Sequence, residues 1–201
     1  TESLQWKNGA YPNKEFQLKW EQIIRDWSLR WGEQIDGWWF DGCYWPNTMY
    51  RSRSHPNFES FAAAARAGNS RSVIAFNPGV VPRLISICPD EDYIAGEIND
   101  PATVQIRRSA EGKLDGARVH VLSYLGSTWG RGEPRFTDEQ AVHFSQILHS
   151  NKAIFTWDVP VQLSGLIPET FLGQLRAIGS ALNATNTLTR SVTAKQAPHD
   201  D

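Results

Sequence analysis

The sequence has little with which to cross-link, chelate or cradle phosphate. Two cysteines in 201 residues, Cys43 and Cys88, are too few for a disulfide framework or a four-ligand zinc site. No H-x-x-x-H pair occurs, and His143 and His149 are six residues apart and do not share a helix face, so no metal is expected. Neither G-x-G-x-x-G nor G-x-x-x-x-G-K-[ST] follows any apolar run, which removes the main support for a nucleotide cofactor, and none is expected. No serine sits in a G-x-S-x-G elbow. No apolar stretch approaches the ~20 residues that span a bilayer, so no membrane partner is expected. Twenty basic against 22 acidic residues give a net charge of −2 with no block of like charge, which argues against a nucleic-acid partner.

What remains is a globular composition, 40% apolar and 21% charged, in a length that builds one sizeable core. Residues 1–185 read as a single α/β domain of catalytic type, and 186–201 as a polar tail. Nine tryptophans are unusual. Large flat rings either fill a core or line a binding surface, and carbohydrate recognition is one such surface.

The hydrophobic period changes repeatedly along the chain. From Lys14 to Trp31, Phe16, Trp20, Ile23, Ile24, Trp27 and Trp31 recur at spacings of three and four, the stripe of an amphipathic helix closed by Gly32. That stripe is expected to be core. Gly37-Trp38-Trp39-Phe40 then has strand length and ends in Asp41-Gly42. Helices are expected over 56–67, over 137–149 from a Thr137/Gln140 capping box, and over 168–182 behind Pro168. Strands are expected over 72–77, 93–97, 119–125 and 152–157. About five strands alternating with helices and apolar on both faces imply a parallel sheet covered by helices. That fits a small doubly wound sheet or the latter part of a TIM barrel.

In parallel α/β folds chemistry sits at the carboxyl ends of the strands, so a polar residue that closes an apolar strand is a candidate. Asp41 is one. It follows three aromatics, and Gly42 lets the chain turn away; the alternative is that Asp41 caps that turn. Glu97 closes the next-but-one strand, and two strand-ending carboxylates could supply the acids of a glycoside hydrolase. Trp39, Tyr44, Trp45, Trp129 and Trp157 lie at or near strand ends, where a sugar would stack. His120 sits inside a strand, as a core histidine with a backbone partner or as a sugar ligand. Asp158 ends its strand as Asp41 does and could orient a neighbouring group.

The segment from Phe16 to Trp45, above all Trp39-Phe40-Asp41-Gly42 behind an amphipathic helix, resembles the nucleophile segment of the α-L-fucosidases of glycoside hydrolase family 29. Ser127-Thr128-Trp129-Gly130 is similar to the family's S-W-G-Y word. Residues 152–182 are similar to its stretch running from L-L-N-x-G-P through D-G-x-I-P to a helix ending I-G-x-x-L. The resemblance implies a retaining glycosidase that cleaves terminal α-L-fucosyl linkages, with Asp41 as nucleophile and a fucosylated glycan as partner. It also implies a fold that is the latter part of a TIM barrel, from its fourth strand onward. The remaining strands would come from an N-terminal segment or a second chain. Two departures stand out. Phe155-Thr156-Trp157-Asp158-Val159-Pro160 replaces L-L-N-I-G-P, and no glutamate precedes Trp129 where some members carry the acid/base. Other members place that glutamate in a P-E word on an earlier strand. Ala95-Gly96-Glu97 is the nearest match, which makes Glu97 the acid/base candidate and Glu91 the runner-up. Glycan degradation carries the expectation of a secreted or periplasmic location. Two other readings stay open: a carbohydrate-binding or degenerate hydrolase-like domain, and a barrel glycosidase for another sugar.

Overall fold

A computed structural model describes residues 14–43, 54–104 and 112–195. The fold alternates helices with short parallel strands: α1 (Lys14–Trp31), β1 (Gly37–Phe40), α2 (Phe58–Ala65), β2 (Val73–Phe76), the hairpin β3 (Lys113–Leu114) and β4 (Ala117–Arg118), β5 (His120–Tyr124), α3 (Asp138–Ser150), β6 (Ile154–Asp158) and α4 (Glu169–Lys195). Local chemistry sets several boundaries. Gly32, at φ +52°, ends α1 in the left-handed conformation that glycine adopts at little cost. Capping boxes open α2, through Asn57 and Ser60, and α3, through Thr137 and Gln140. The last helix runs past the expected end at 182 as far as Lys195, because neither proline nor glycine occurs between Gly179 and Lys195.

Strand β1 pairs in parallel with β2, and β5 in parallel with β6. Between these pairs the segment 92–98 joins the two without forming a regular strand. Asp92 N–H donates to Ile74 C=O, while Ile94 N–H donates to Arg118 C=O, Leu122 N–H to Gly96 C=O and Ile98 N–H to Leu122 C=O. Tyr93 and Glu97 make isolated parallel bridges to Arg118 and Leu122. The chain therefore lays five extended segments side by side in sequence order. The 93–97 strand is reduced to bridges because Gly96, at φ +63°, breaks the extended backbone.

Period-two alternation divides each strand between two faces. Trp38, Phe40, Ile74 and Phe76 join Phe58, Phe61, Ala62, Ala64 and Ala65 of α2 in one core cluster. Val121 and Leu148 belong to a second cluster, and Leu125, Phe171 and Ile178 to a third beneath α3 and α4. The other face is concave. It frames an open pocket of about 550 Å³ lined by Trp39, Tyr93, His120, Leu122 and Thr156 among others.

The tryptophan stripe of α1 is a correction. Trp20 and Trp27 are 41% and 43% exposed, and Trp31 is exposed as well. Of the stripe, Ile24 is buried as expected, joining the α2 core cluster, and the helix docks on α2 beside it at Ser28. There the Ser28 hydroxyl donates to Ala65 C=O at 2.6 Å and accepts from Gly68 N–H at 2.9 Å. A Cβ at Gly68 would fall 1.8 Å from Ser28 C=O, so only glycine admits this approach. The tryptophans run along the side of α1 that neither α2 nor the four-residue β1 covers, although Trp31 still touches Trp38, ring centroids 6.3 Å apart.

Candidate active site

The carboxyl ends of β1, β2 and the 92–98 segment converge on three polar side chains. The parallel ladder runs one step beyond β1: Asn77 N–H donates to Phe40 C=O at 2.8 Å and Cys43 N–H donates to Asn77 C=O at 2.9 Å. These two bonds hold Asp41 opposite Asn77. Gly42 then turns the chain at φ +83°, as expected, and leaves the carboxylate exposed. Glu97 is pinned from the other side by its bridge to Leu122 and by Val81 N–H, which donates to its carbonyl.

Asn77 joins the two acids. Its Nδ2 donates to Asp41 Oδ1 at 2.9 Å and to Glu97 Oε2 at 2.6 Å, while its Oδ1 accepts Gly79 N–H at 3.0 Å. The residue is 3% exposed. Asn77 closes an apolar strand just as Asp41 does, so the same reading of the sequence could have found it.

The other expected site residues are scattered. Trp39 lines the concave face, with ring centroids 6.4 Å from Tyr93 and 6.0 Å from His120. His120 is buried beneath the acids' end of the sheet. Its Nδ1–H donates to Ala95 C=O at 2.9 Å, and the Thr156 hydroxyl lies 3.0 Å from Nε2. Burial holds its pKa below the ordinary imidazole value, so the ring is neutral at pH 7, with Nε2 accepting from Thr156. Both nitrogens are thus engaged, and the backbone-partnered arrangement is the one observed. Trp129 is half-buried, with its indole N–H on Asn99 Oδ1 at 3.1 Å and its ring 4.7 Å from that of Tyr124.

Trp157 is not brought to the site. It falls on the helix-covered face of β6, where its indole N–H donates to Ser145 Oγ at 3.0 Å and its ring packs near Phe136. Alternation explains this: Thr156 and Asp158 share the concave face, so the residue between them points to the core. Asp158 accepts Gly130 N–H and so ties the loop that carries Trp129. Glu91 is buried and its Oε1 accepts Ile87 N–H, placing it near the two cysteines. Tyr44 and Trp45 lie outside the described residues.

Cys43 follows the acid yet offers no nucleophile. Burial, then Asp41, pushes its thiol up to about 12, and Cys88 is pushed up to about 12 by burial as well. Among the described residues no three His, Cys, Asp or Glu side chains gather as metal ligands.

No protein-family model and no curated protein matches the chain. Solved structures do. The endo-fucoidan hydrolase MfFcnA9 of glycoside hydrolase family 107 superposes with a TM-score of 0.67 at 22% identity, over 88% of this chain and 38% of that one. A second endo-fucoidan hydrolase of that family, MfFcnA4, gives 0.64 at 22% identity, over 87% and 32%. The α-L-fucosidase AlfC from Lactobacillus casei, in complex with α-L-fucose product, gives 0.57 at 15% identity, over 88% and 48%. At these identities the likeness is one of fold. The chain spans roughly a third of the length of these two endo-fucoidan hydrolases and about half that of the α-L-fucosidase.

Proposed function

We propose that this chain carries the catalytic end of a retaining glycoside hydrolase that cleaves α-L-fucosyl linkages, with Asp41 as nucleophile and Glu97 as acid/base. One observation carries the reading: a single buried amide holds both carboxylates. With the two N–H bonds of a planar amide 120° apart, donor distances of 2.9 and 2.6 Å put the nearest carboxylate oxygens about 4.8 Å apart. Both acids therefore lie close enough to act on one anomeric centre, as two-carboxylate glycosidases require.

The chemistry follows in two displacements. Asp41 attacks the anomeric carbon as the glycosidic bond breaks, and protonated Glu97 gives its proton to the leaving oxygen. The sugar is then esterified to Asp41. Glu97, now a carboxylate, takes a proton from water as that water's oxygen displaces Asp41 from the anomeric carbon, which releases the sugar and restores both groups. Trp39 and Trp129 supply aromatic faces, and His120 supports the floor beneath them. The matched structures include an α-L-fucosidase and endo-acting fucoidan hydrolases, and that pairing supports fucose as the sugar.

The five extended segments are the latter part of an eight-stranded barrel in this reading. Strands supplied by upstream polypeptide or a second chain would adjoin β1 and cover Trp20, Trp27 and Trp31, relieving an open edge and an exposed apolar stripe. The test is hydrolysis of an aryl α-L-fucoside by the wild type and by Asp41→Asn. A loss of at least about 10³-fold with an unchanged unfolding midpoint is expected, and turnover at the wild-type rate would refute it. The open concave face favours a second reading, binding of a fucosylated glycan without turnover. Affinity unchanged by Glu97→Gln, with no product formed, would select it. A panel of other aryl glycosides tests whether the sugar is fucose at all.

A further inference from the structure

We propose that Asn77 is the positioning residue that assigns each carboxylate its reacting oxygen and biases where the acid's proton resides. The inference rests on the glycosidase reading above. An amide NH₂ group donates and does not accept. With Nδ2 facing Glu97 Oε2 at 2.6 Å and Asp41 Oδ1 at 2.9 Å, neither of those oxygens can carry a proton pointing at the amide. A carbonyl oxygen accepts better than a hydroxyl oxygen, so when Glu97 is protonated this contact favours the proton on Oε1, the oxygen turned from Asn77. Asp41 likewise keeps Oδ2 for attack.

The amide has no freedom to exchange its ends. Gly79 N–H must find an acceptor and takes Oδ1 at 3.0 Å, which commits Nδ2 to the acids. The backbone of Asn77 is fixed on both sides by the bonds to Phe40 and Cys43, and the side chain is buried. Neutrality matters as much as geometry. A lysine or arginine between two acids would hold both ionised, whereas retaining catalysis requires that one be protonated when the substrate binds. A neutral double donor orders the pair without imposing a charge on it.

The test compares wild type, Asn77→Asp and Asn77→Ser on an aryl α-L-fucoside across pH. Asn77→Asp keeps the shape and the acceptor for Gly79 while replacing the donor by a third carboxyl group; Asn77→Ser leaves at most one donor. Asn77→Asp is expected to lower kcat by about 100-fold or more with KM within about threefold, and to move the acid limb of the kcat/KM profile upward by about one pH unit. Asn77→Ser should fall between the two, and it carries the test alone if Asn77→Asp does not fold. Folded variants with wild-type kcat and an unmoved profile would overturn the role of Asn77 while leaving the Asp41/Glu97 reading intact. A wild-type protein without turnover, or undiminished turnover by Asp41→Asn, would overturn both.

Discussion

Gly96→Ala should unfold the site before it unfolds the rest of the protein. Gly96 lies between Ala95 and the proposed acid/base Glu97 at φ +63°, and a Cβ there would sit 1.8 Å from the carbonyl oxygen of His120 and 2.7 Å from its carbon. Relief requires the 92–98 segment to move away from β5 by about 1.5 Å to restore ordinary contact. That movement strains the bonds from Leu122 N–H to Gly96 C=O and from Ile98 N–H to Leu122 C=O, both 2.9 Å. The left-handed backbone costs a non-glycine residue roughly 1–2 kcal/mol, and the overpacking roughly 1–3 kcal/mol. A total near 4 kcal/mol lowers Tm by about 8–16 °C for a chain of this size. Glu97 would leave Asn77 with the segment, so kcat/KM should fall further than the stability loss explains. Gly179→Ala is the control. It sits within α4, its Cβ would meet nothing within 4 Å, and alanine there should stabilise by roughly 0.5–1 kcal/mol. Thermal unfolding followed by circular dichroism measures both. A Gly96→Ala protein within about 2 °C of wild type would refute the close approach and, with it, the placement of Glu97.

Two further outcomes follow from buried polar contacts. Ser28→Ala removes the hydroxyl that bridges Ala65 C=O and Gly68 N–H, and urea denaturation should show a loss of about 1–3 kcal/mol; no loss would show that α1 and α2 dock without it. At alkaline pH the buried thiols should destabilise the fold. Cys43 and Cys88 stay protonated to about 12 in the native state against 9.0 for the unfolded chain, so above pH 9 the unfolded state holds fewer protons and stability falls as pH rises. The slope approaches about 1.4 kcal/mol per pH unit for each thiol. Replacing both cysteines by alanine should flatten the stability profile between pH 9 and 11; an unchanged slope would place the thiols in water.

Much of the fold was legible because it rests on local signals. The 3.6-residue period set α1, a capping box set the start of α3, β5 falls within the expected strand 119–125, and β6 overlaps the expected 152–157 and runs one residue past it. Asp41 was legible because a polar residue closing an apolar run is a local fact too. What the sequence hid was what each stripe meets. Periodicity shows that Trp20, Trp27 and Trp31 share a face of α1, but only tertiary structure shows that Ser28 and Gly68 draw the adjoining side of the helix against α2 and leave the tryptophans outside the contact. Trp157 was misread by its position near a strand end, although its parity with Thr156 and Asp158 already assigned it to the core side. The β3–β4 hairpin lies outside the expected strands, although its Asp115-Gly116 turn, both at positive φ, is a pair typical of tight hairpins. Asn77 closes an apolar strand and so is legible as a candidate, but its role is not, because that depends on two partners 36 and 20 residues away.

The most direct test of the central claim is covalent trapping. Incubating the protein with a 2-fluoro-fucosyl fluoride slows the second displacement more than the first, and mass spectrometry of the intact chain followed by peptide mapping then locates any ester. The account predicts one fucosyl adduct per chain, on Asp41, formed by the wild type and absent from Asp41→Asn. An adduct on another residue, or none under conditions in which the protein turns over an aryl fucoside, would contradict it.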